Sequence, residues 1–218
     1  MNVSRSERIL IDKYKGIYFS IPKVACSSIK QSISESLDLN IPKNLIHKEI
    51  PKFSGPIPLD FKSYFKFSFV RNPYDRLLSC YKSKIKPEKA GITTKWLVDG
   101  VNRGIHKMHG DLFWGKMTFA DFCFSVSKIP DLKSNEHFRS QHTFIYEGDK
   151  CEVDFIGKFE NLEADYNYVS KALNSNMKLG HFGNQTKHNK FQEYYDKDLK
   201  EIVFKRYRTD FELFNYGK

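Results

Sequence analysis

Two short stretches of the chain place polar and basic side chains directly after strand-like runs. The first is IPKVACSSIK (residues 21–30), which combines Lys23 with the hydroxyls of Ser27 and Ser28. A strand that leads through a loop into a helix presents unpaired backbone N–H groups at the positive end of the helix dipole, and both features attract phosphate. The stretch therefore predicts a phosphate site. The alternative is a capped helix with exposed lysines.

The second stretch, FSFVRNPYDRLLSCYKSKI (67–85), places Arg71 after a strand and Ser79 two helical turns later. A guanidinium matches the geometry of a phosphate with two parallel hydrogen bonds, and a hydroxyl can bond the same oxygens. The alternatives are an ion pair with Asp75 and a small residue on a packed helix. Because both stretches occur in one chain, we expect them to bind the two phosphate ends of one nucleotide.

The surrounding pattern predicts the elements that hold these residues. Apolar runs bounded by glycine, proline or polar residues indicate strands over 16–21, 64–70 and 153–162. Apolar spacing of three to four residues indicates helices over 27–37, 73–85, 93–101, 118–128, 162–173 and 198–208, with loops over 40–62 and 174–192. Ser27 or Ser28 would cap the first helix. Phe211, Leu213 and Phe214 are expected to pack the C-terminal segment onto the core.

Strands that alternate with helices indicate an α/β fold with a mainly parallel central sheet. At 218 residues, the chain is expected to form a single domain over 1–218. Its four cysteines include no C-x-x-C pair, so we expect no metal site. We expect four free thiols in a reducing compartment, with a disulfide pair as the alternative. No segment has about 18 uncharged apolar residues. We therefore expect a protein without a transmembrane segment in the cytoplasm of a bacterium, with a fragment of a membrane-anchored parent as the alternative.

The charge balance of 36 basic against 26 acidic residues gives a net charge of +10. An excess of this size indicates an anionic partner, such as a nucleotide, an acidic glycan, a nucleic acid or a membrane surface, without choosing among them. The motif G-x-x-x-x-G-K-[ST] does not occur, which argues against an ordinary ATP or GTP loop. The first stretch is thus similar to a P-loop without being one of that kind.

Several motifs in this order resemble those of the carbohydrate sulfotransferases of the Golgi type and their bacterial relatives. PKVACSSIK matches P-K-x-x-[CS]-[ST]-x-x-K, and FSFVRNPYDRLLSCY matches F-x-F-V-R-[NH]-P-[FY]-x-R-L-x-S-x-Y. NEHFRSQ (135–141), DFIGKFENL (154–162) and YRTDFELFNY (207–216) also fit. The resemblance covers residues 16 to 216. It implies a P-loop-NTPase-like three-layer sandwich in which helices flank the sheet.

The resemblance also implies a donor, 3′-phosphoadenosine 5′-phosphosulfate (PAPS), and a product, 3′,5′-ADP. The residues that it places around the 5′-phosphosulfate are Lys23, Ala25, Cys26, Ser27 and Ser28. Arg71 and Ser79 would hold the 3′-phosphate. Ile29 stands where many members have an aromatic residue, so Phe159 is expected to cover the adenine, with core packing as the alternative. Lys187 lies in a basic loop that is expected to fold over the nucleotide, unless it is an ordinary solvated loop.

The implied chemistry is in-line transfer of a sulfonate group to an acceptor hydroxyl, without a metal. Lys23 would neutralise the charge that grows on the departing oxygen. His137 would be the general base, since its ordinary pKa of about 6.5 suits that role. Glu136 and His142 are rivals for it, and a purely structural histidine is the alternative. Residues expected to contact the acceptor are Glu136, Arg139 and Gln141.

The expected acceptor is a carbohydrate, such as a polysaccharide, a glycolipid or a lipopolysaccharide, and an acidic one would suit the positive charge. Peripheral membrane contact is compatible with this reading, and no oligomeric state is predicted. Three other functions stay open: a basic nucleic-acid-binding module, a small kinase with an unusual phosphate loop, and a degenerate member of the fold that only binds glycan. The basic residues are scattered and no nucleic-acid signature occurs, so we expect no nucleic-acid partner.

Overall fold

The computed structural model describes residues 7–85, 93, 95–180 and 191–217 of the chain. The described strands are β1 (Arg8–Ile11), β2 (Gly16–Phe19), β3 (Phe65–Val70), β4 (Leu97–Val98), β5 (Val101–Asn102), β6 (Tyr146–Glu147), β7 (Lys150–Cys151) and β8 (Phe155–Lys158). The described α-helices are α1 (Cys26–Ser36), α2 (Ile46–Glu49), α3 (Pro73–Lys84), α4 (Arg103–His109), α5 (Phe119–Ser127), α6 (His142–Ile145), α7 (Leu162–Ala172), α8 (Lys197–Arg206) and α9 (Arg208–Leu213).

These elements form two compact units, each assembled from two separate stretches of sequence. The first unit contains the described residues up to 71 together with 141–180. The second contains the described residues between 72 and 140 together with 191–217. The protein is a mixed α/β structure, as predicted. The single-domain prediction is not decided by this division.

A four-stranded sheet in the order β1-β2-β3-β8 is the centre of the first unit. β2 runs parallel to β3, with Tyr18 opposite Phe67, and β3 runs parallel to β8, with Ser68 opposite Ile156. The edge strand β1 is antiparallel to β2. The prediction of a mainly parallel sheet is confirmed, whereas β1 was missed.

The residue types of the inner strand β2 suit a strand that is buried on both faces of the sheet. All four residues of β2 are buried, and the ring centroids of Tyr18 and Phe67 lie 5.4 Å apart. Parallel strands of this kind are apolar throughout rather than alternating. Gly157 on β8 is required by close packing, because a Cβ at this position would collide with the ring of Phe69.

The second unit has a core of its own, built from helices and rich in aromatic rings. Ring centroids lie 5.5 Å apart for Phe113 and Phe138 and 5.6 Å apart for Phe113 and Phe122. The apolar stripe of α3 faces this core with buried Leu77 and Leu78. The predicted helix over 118–128 is confirmed as α5, and the one over 198–208 as α8.

Several predicted boundaries are wrong in detail. Residues 95–101 of the predicted helix over 93–101 are not helical: they contribute to the hairpin of β4 and β5, whose turn at Asp99 and Gly100 has φ values of +47° and +79°. The third strand ends at Lys158 rather than at residue 162. The loop over 40–62 includes the short helix α2. Leu213 is 45% exposed, so only Phe211 and Phe214 of the predicted C-terminal contact are buried.

Across the described ranges, no helix is both long enough and apolar enough to pass through a lipid bilayer. The same residues include no group of three or more His, Cys, Asp or Glu side chains placed to hold a metal ion.

Candidate functional site

The loop between β2 and α1 has an unusual backbone for a segment without glycine. Lys23 and Ala25 have φ values of +72° and +51°, in the left-handed region that glycine favours, while Val24 between them does not. Left-handed residues occur in the concave backbone arrangements whose successive N–H groups bind anions. Each left-handed residue with a side chain costs about 1 kcal/mol, so the surrounding structure must enforce this conformation.

The start of α1 adds backbone N–H groups to this loop. The helix begins at Cys26 with Ala25 as its N-cap, and not at a serine cap as predicted, because no side chain caps it. Its first hydrogen bond runs from the N–H of Ile29 to the carbonyl of Ala25 at 3.0 Å. Within the described part of the chain, the N–H groups of residues 24–28 have no acceptor. Together with the dipole of an 11-residue helix, they favour a bound anion.

Side chains of this loop differ in burial. Lys23, Ala25, Cys26, Ser27 and Ser28 are all half-buried, so each keeps some surface at the loop. Ile29 is fully buried and belongs to the core. The Oγ of Ser27 lies 2.6 Å from Nε2 of His47, a residue of α2 to which the sequence analysis gave no role.

Arg71, at the end of β3, contacts the same loop. Its side chain is buried, and Nη1 donates a hydrogen bond of 3.2 Å to the backbone carbonyl of Lys23. Its guanidinium carbon lies 4.0 Å from the ring centroid of Phe159. The structure thus brings together the arginine of the second sequence stretch and the loop of the first.

Phe159 does not lie on a strand. It begins a short 3₁₀-helix, Phe159–Asn161, directly after β8, and its ring is half-buried. Arg71 covers one face of the ring, which is a cation–π contact. Stacking on adenine stays a prediction, and it would need the other face.

Gln141, whose contact with the acceptor stays a prediction, is bonded to the backbone of Arg71. Its Oε1 accepts from the N–H of Arg71, and its Nε2 donates to the carbonyl of Arg71, both at 2.9 Å. The side chain has no exposed surface. An amide that bonds both backbone groups of one residue continues the sheet pattern past the end of β3. Gln141 therefore fixes the backbone from which the guanidinium of Arg71 projects.

His137 belongs to the second unit, and Asn135 fixes the position of one proton on its ring. Asn135 Oδ1 accepts from the backbone N–H of His137 at 3.1 Å and lies 2.7 Å from its Nδ1. An amide oxygen only accepts, so Nδ1 carries a proton, and in the neutral ring Nε2 then keeps its lone pair. This is the tautomer that a general base needs at Nε2. The ring is half-buried.

Two side chains that the sequence analysis missed hold the backbone around His137. Arg76, on α3, donates to the carbonyls of Arg139 at 2.7 Å and Glu136 at 3.2 Å. Tyr207 donates to the carbonyl of Phe138 at 2.6 Å. Burial lowers the pKa of Arg76, but an arginine side chain remains a cation at neutral pH.

Comparison with known proteins identifies the family of the chain. A family model described as "Sulfotransferase family" matches residues 7–217. The chain belongs to the sulfotransferase family. No solved structure matches the chain.

Curated members of this family extend the resemblance. The chain is 29% identical to carbohydrate sulfotransferase 14 of Danio rerio, over 96% of this chain and 62% of that protein. It is 26% identical to carbohydrate sulfotransferase 11 of Rattus norvegicus, over 97% of this chain and 67% of that protein. For carbohydrate sulfotransferase 12 of Mus musculus, the identity is 27% over 100% of this chain and 61% of that protein. The chain thus spans about three fifths to two thirds of these relatives, and its resemblance to the carbohydrate sulfotransferases is confirmed.

The remaining residues of the family pattern fall in different parts of the structure. Ser79 is half-buried on α3 in the second unit, whereas Arg71 belongs to the first, so their joint contact with a 3′-phosphate stays a prediction. Glu136 is exposed. Arg139 is buried, its Nε donates to the carbonyl of Ser134 at 3.3 Å, and burial lowers its pKa.

Two further predicted site residues are His142 and Lys187. His142, the rival base, begins α6 in the first unit, while His137 belongs to the second. Lys187 lies outside the described residues, as does most of the predicted basic loop.

Proposed function

We propose that the chain transfers the sulfonate group of PAPS to a hydroxyl of a carbohydrate acceptor. The observation that carries this proposal is the hydrogen bond of 3.2 Å between Arg71 and the carbonyl of Lys23, since it joins the two stretches that would bind one nucleotide. Family membership supports sulfonate transfer, and the names of the relatives support a carbohydrate acceptor.

The donor would bind with its 5′-phosphosulfate at the β2–α1 loop. The N–H groups of residues 24–28 would donate to the phosphosulfate oxygens, and the hydroxyls of Ser27 and Ser28 would add to them. In the proposal, Arg71 and Ser79 hold the 3′-phosphate, Phe159 covers the adenine, and Lys187 closes over the nucleotide.

The transfer step would be an in-line displacement. The acceptor oxygen forms a bond to sulfur while the bond from sulfur to the bridging phosphate oxygen breaks, and 3′,5′-ADP leaves. Lys23 would neutralise the negative charge that grows on the bridging oxygen. The acceptor proton would pass to Nε2 of His137, a contribution that is typically worth about 10²- to 10⁴-fold in rate.

We also propose that residues 1–218 act as one sulfotransferase domain with a P-loop-NTPase-like three-layer sandwich. The family model supports this, because its match runs through both units. The strand–loop–helix arrangement of β2 and α1 supports the P-loop-like part. The acceptor is proposed to be acidic, since the net charge is +10.

Calorimetry with 3′,5′-ADP, followed by transfer of labelled sulfonate from PAPS to a panel of glycans, tests the proposal. We expect nucleotide binding without added metal and label in at least one glycan. Transfer of phosphate from Mg²⁺-ATP would identify a kinase instead. Salt-sensitive oligonucleotide binding that 3′,5′-ADP does not displace would identify a nucleic-acid-binding module.

A further inference from the structure

A chain of hydrogen bonds connects Glu7, the first described residue of the protein, to the β2–α1 loop. Nζ of Lys30, on α1, lies 2.6 Å from Oε2 of Glu7 and 3.3 Å from Nδ1 of His47. Nε2 of His47 lies 2.6 Å from Oγ of Ser27. Lys52 closes the cluster, since its Nζ contacts Oε1 of Glu7 at 2.6 Å and the carbonyl of His47 at 2.7 Å. All five residues belong to the first unit.

The charge states at the far end of this cluster are well defined. Lys30 is only 1% exposed, and its ion pair with Glu7 compensates for the loss of water around its charge. Burial by itself raises the pKa of Glu7, but the hydrogen bonds and charges of Lys30 and Lys52 outweigh that effect and lower it. Glu7 is therefore a carboxylate, and Lys30 is an ammonium held in place by it.

These states fix the direction of every hydrogen bond that follows. An ammonium group has donors and no acceptor, so Lys30 donates and Nδ1 of His47 accepts. A neutral imidazole that accepts at Nδ1 carries its proton at Nε2. Nε2 of His47 therefore donates to Oγ of Ser27. Since that oxygen already accepts from His47, the hydroxyl proton of Ser27 is directed toward another acceptor.

We infer that His47 is a positioning residue that orients the hydroxyl of Ser27 as a hydrogen-bond donor to an oxyanion at the β2–α1 loop. This inference rests on the proposed function for the identity of the anion, which is the 5′-phosphate side of the donor. The ordered relay from Lys30 through His47 to Ser27 presents a donor before the anion arrives, so less reorganisation is needed on binding. His47 acts through Ser27 and does not itself contact the nucleotide.

A spectroscopic measurement tests the relay without any nucleotide. Long-range proton–nitrogen correlation spectra of ¹⁵N-labelled protein at about pH 8 distinguish the two neutral tautomers of an imidazole, and the His47→Gln variant assigns the signals. We expect the form with its proton at Nε2. A proton at Nδ1, or a freely exchanging mixture of tautomers, would overturn the relay whether or not the protein binds PAPS.

A double-mutant cycle tests the role in binding, with 3′,5′-ADP as the calorimetric probe. Ser27→Ala is expected to raise Kd about tenfold and His47→Ala about fivefold, since each removes or misdirects one hydrogen bond to a charged group. The double variant should match Ser27→Ala, because His47 has nothing left to orient. His47→Gln, whose amide nitrogen can still donate to Ser27, should bind within about twofold of the wild type. Lys48→Ala, an exposed neighbour on α2, is the matched control.

The outcomes separate this inference from the proposed function. If the wild type binds 3′,5′-ADP and the two single effects multiply in the double variant, His47 acts independently of Ser27 and the inference is wrong while the function stands. If the wild type binds no 3′,5′-ADP, the proposed function fails. The relay is then decided by the tautomer measurement.

Discussion

Two residues in left-handed conformations shape the β2–α1 loop, which contains no glycine and is proposed to bind an anion. Lys23 and Ala25 adopt backbone geometries that glycine usually supplies, at φ values of +72° and +51°. The sequence pattern predicts a phosphate site in this loop from its lysine and serines. It could not reveal the backbone conformation, because nothing in the residue types favours positive φ here.

Substitutions at Ala25 should separate loop geometry from side-chain chemistry. Ala25→Val is expected to lower the free energy of unfolding by about 1–2 kcal/mol and to weaken 3′,5′-ADP binding, because a β-branched residue is disfavoured at positive φ. Ala25→Gly should keep both stability and binding close to the wild type. Thermal unfolding and calorimetry on the two variants measure this. Equal binding by both would show that the left-handed backbone is not needed.

His137 can be tested as the general base separately from nucleotide binding. His137→Ala should lower turnover by about 10²-fold or more, while the Kd for 3′,5′-ADP stays within about twofold of the wild type. The matched control is His106→Ala, a half-buried histidine of α4 in the same unit. Turnover close to normal in His137→Ala would remove the base assignment and favour Glu136 or His142.

At the scale of elements, the sequence predicted most of the central structure and missed features set by local turns. β2, β3, α1 and α3 follow from apolar periodicity, so these elements were found. The hairpin of β4 and β5 was read as a helix because its apolar residues also fit helical spacing. The Asp99–Gly100 pair was the signal for a tight hairpin turn, since two successive residues with positive φ favour this dipeptide. β1 was missed because the strand is flanked by the charged Glu7 and Asp12, with no glycine or proline to mark its ends.

The contact between α3 and the backbone around His137 depends on Arg76, which no periodic pattern could identify. Arg76→Met keeps much of the side-chain volume but removes the donor from the buried hydrogen bond to Arg139 and from the partly buried one to Glu136. We expect a loss of about 3 kcal/mol in the free energy of unfolding, together with reduced turnover. Chemical denaturation measures the first effect. Lys107→Met, an exposed substitution on α4, should change neither property.

The ion pair between Arg206, on α8, and Asp131 is expected to be lost at low pH. Burial raises the pKa of Asp131, but the charge of Arg206 at 2.8 Å and the hydrogen bonds from Ser140 outweigh this and lower it. A folded pKa below the unfolded value stabilises the protein above about pH 4, and that stability is lost as the pH falls through the folded pKa.

Asp131→Asn should therefore lower the melting temperature at pH 7 and have less effect as the pH drops below about 4. Thermal unfolding between pH 7 and pH 3 measures the difference between the two proteins. Asp111→Asn, at an exposed site, is the control. A difference that stays constant over the whole range would contradict the ionic origin of the link.

At the scale of the whole molecule, the sequence could identify the family but not the arrangement of all site residues. The motifs named Lys23, Arg71 and His137 because chemistry limits which residue types can perform these roles. The hydrogen bonds of Gln141 and His47 could not be predicted, since they join residues that are distant in sequence. Gln141, for example, bonds the backbone of a residue 70 positions earlier.

The net charge of +10 leads to a prediction about acceptor choice. For an acidic glycan, kcat/KM should fall steeply as the salt concentration rises from about 0.05 to 0.5 M, because long-range attraction is screened over a few ångströms at the higher value. A neutral glycan of similar length should show a weaker dependence. Steady-state kinetics with the two acceptors measures the contrast. An equal dependence for both would argue against selection by charge.

The pairing of β3 with β8 has a consequence for the newborn chain on the ribosome. Val70 ends β3, and Phe155, the first residue of its partner, is 85 residues further along. At about 5–20 residues per second, translation needs several seconds to deliver that partner. During this interval the backbone N–H and C=O groups of β3 that later pair with β8 have no partner strand. They are open to any other extended polypeptide nearby. Correct folding of the nascent protein therefore depends on how well this edge of β3 is covered until β8 has been synthesised.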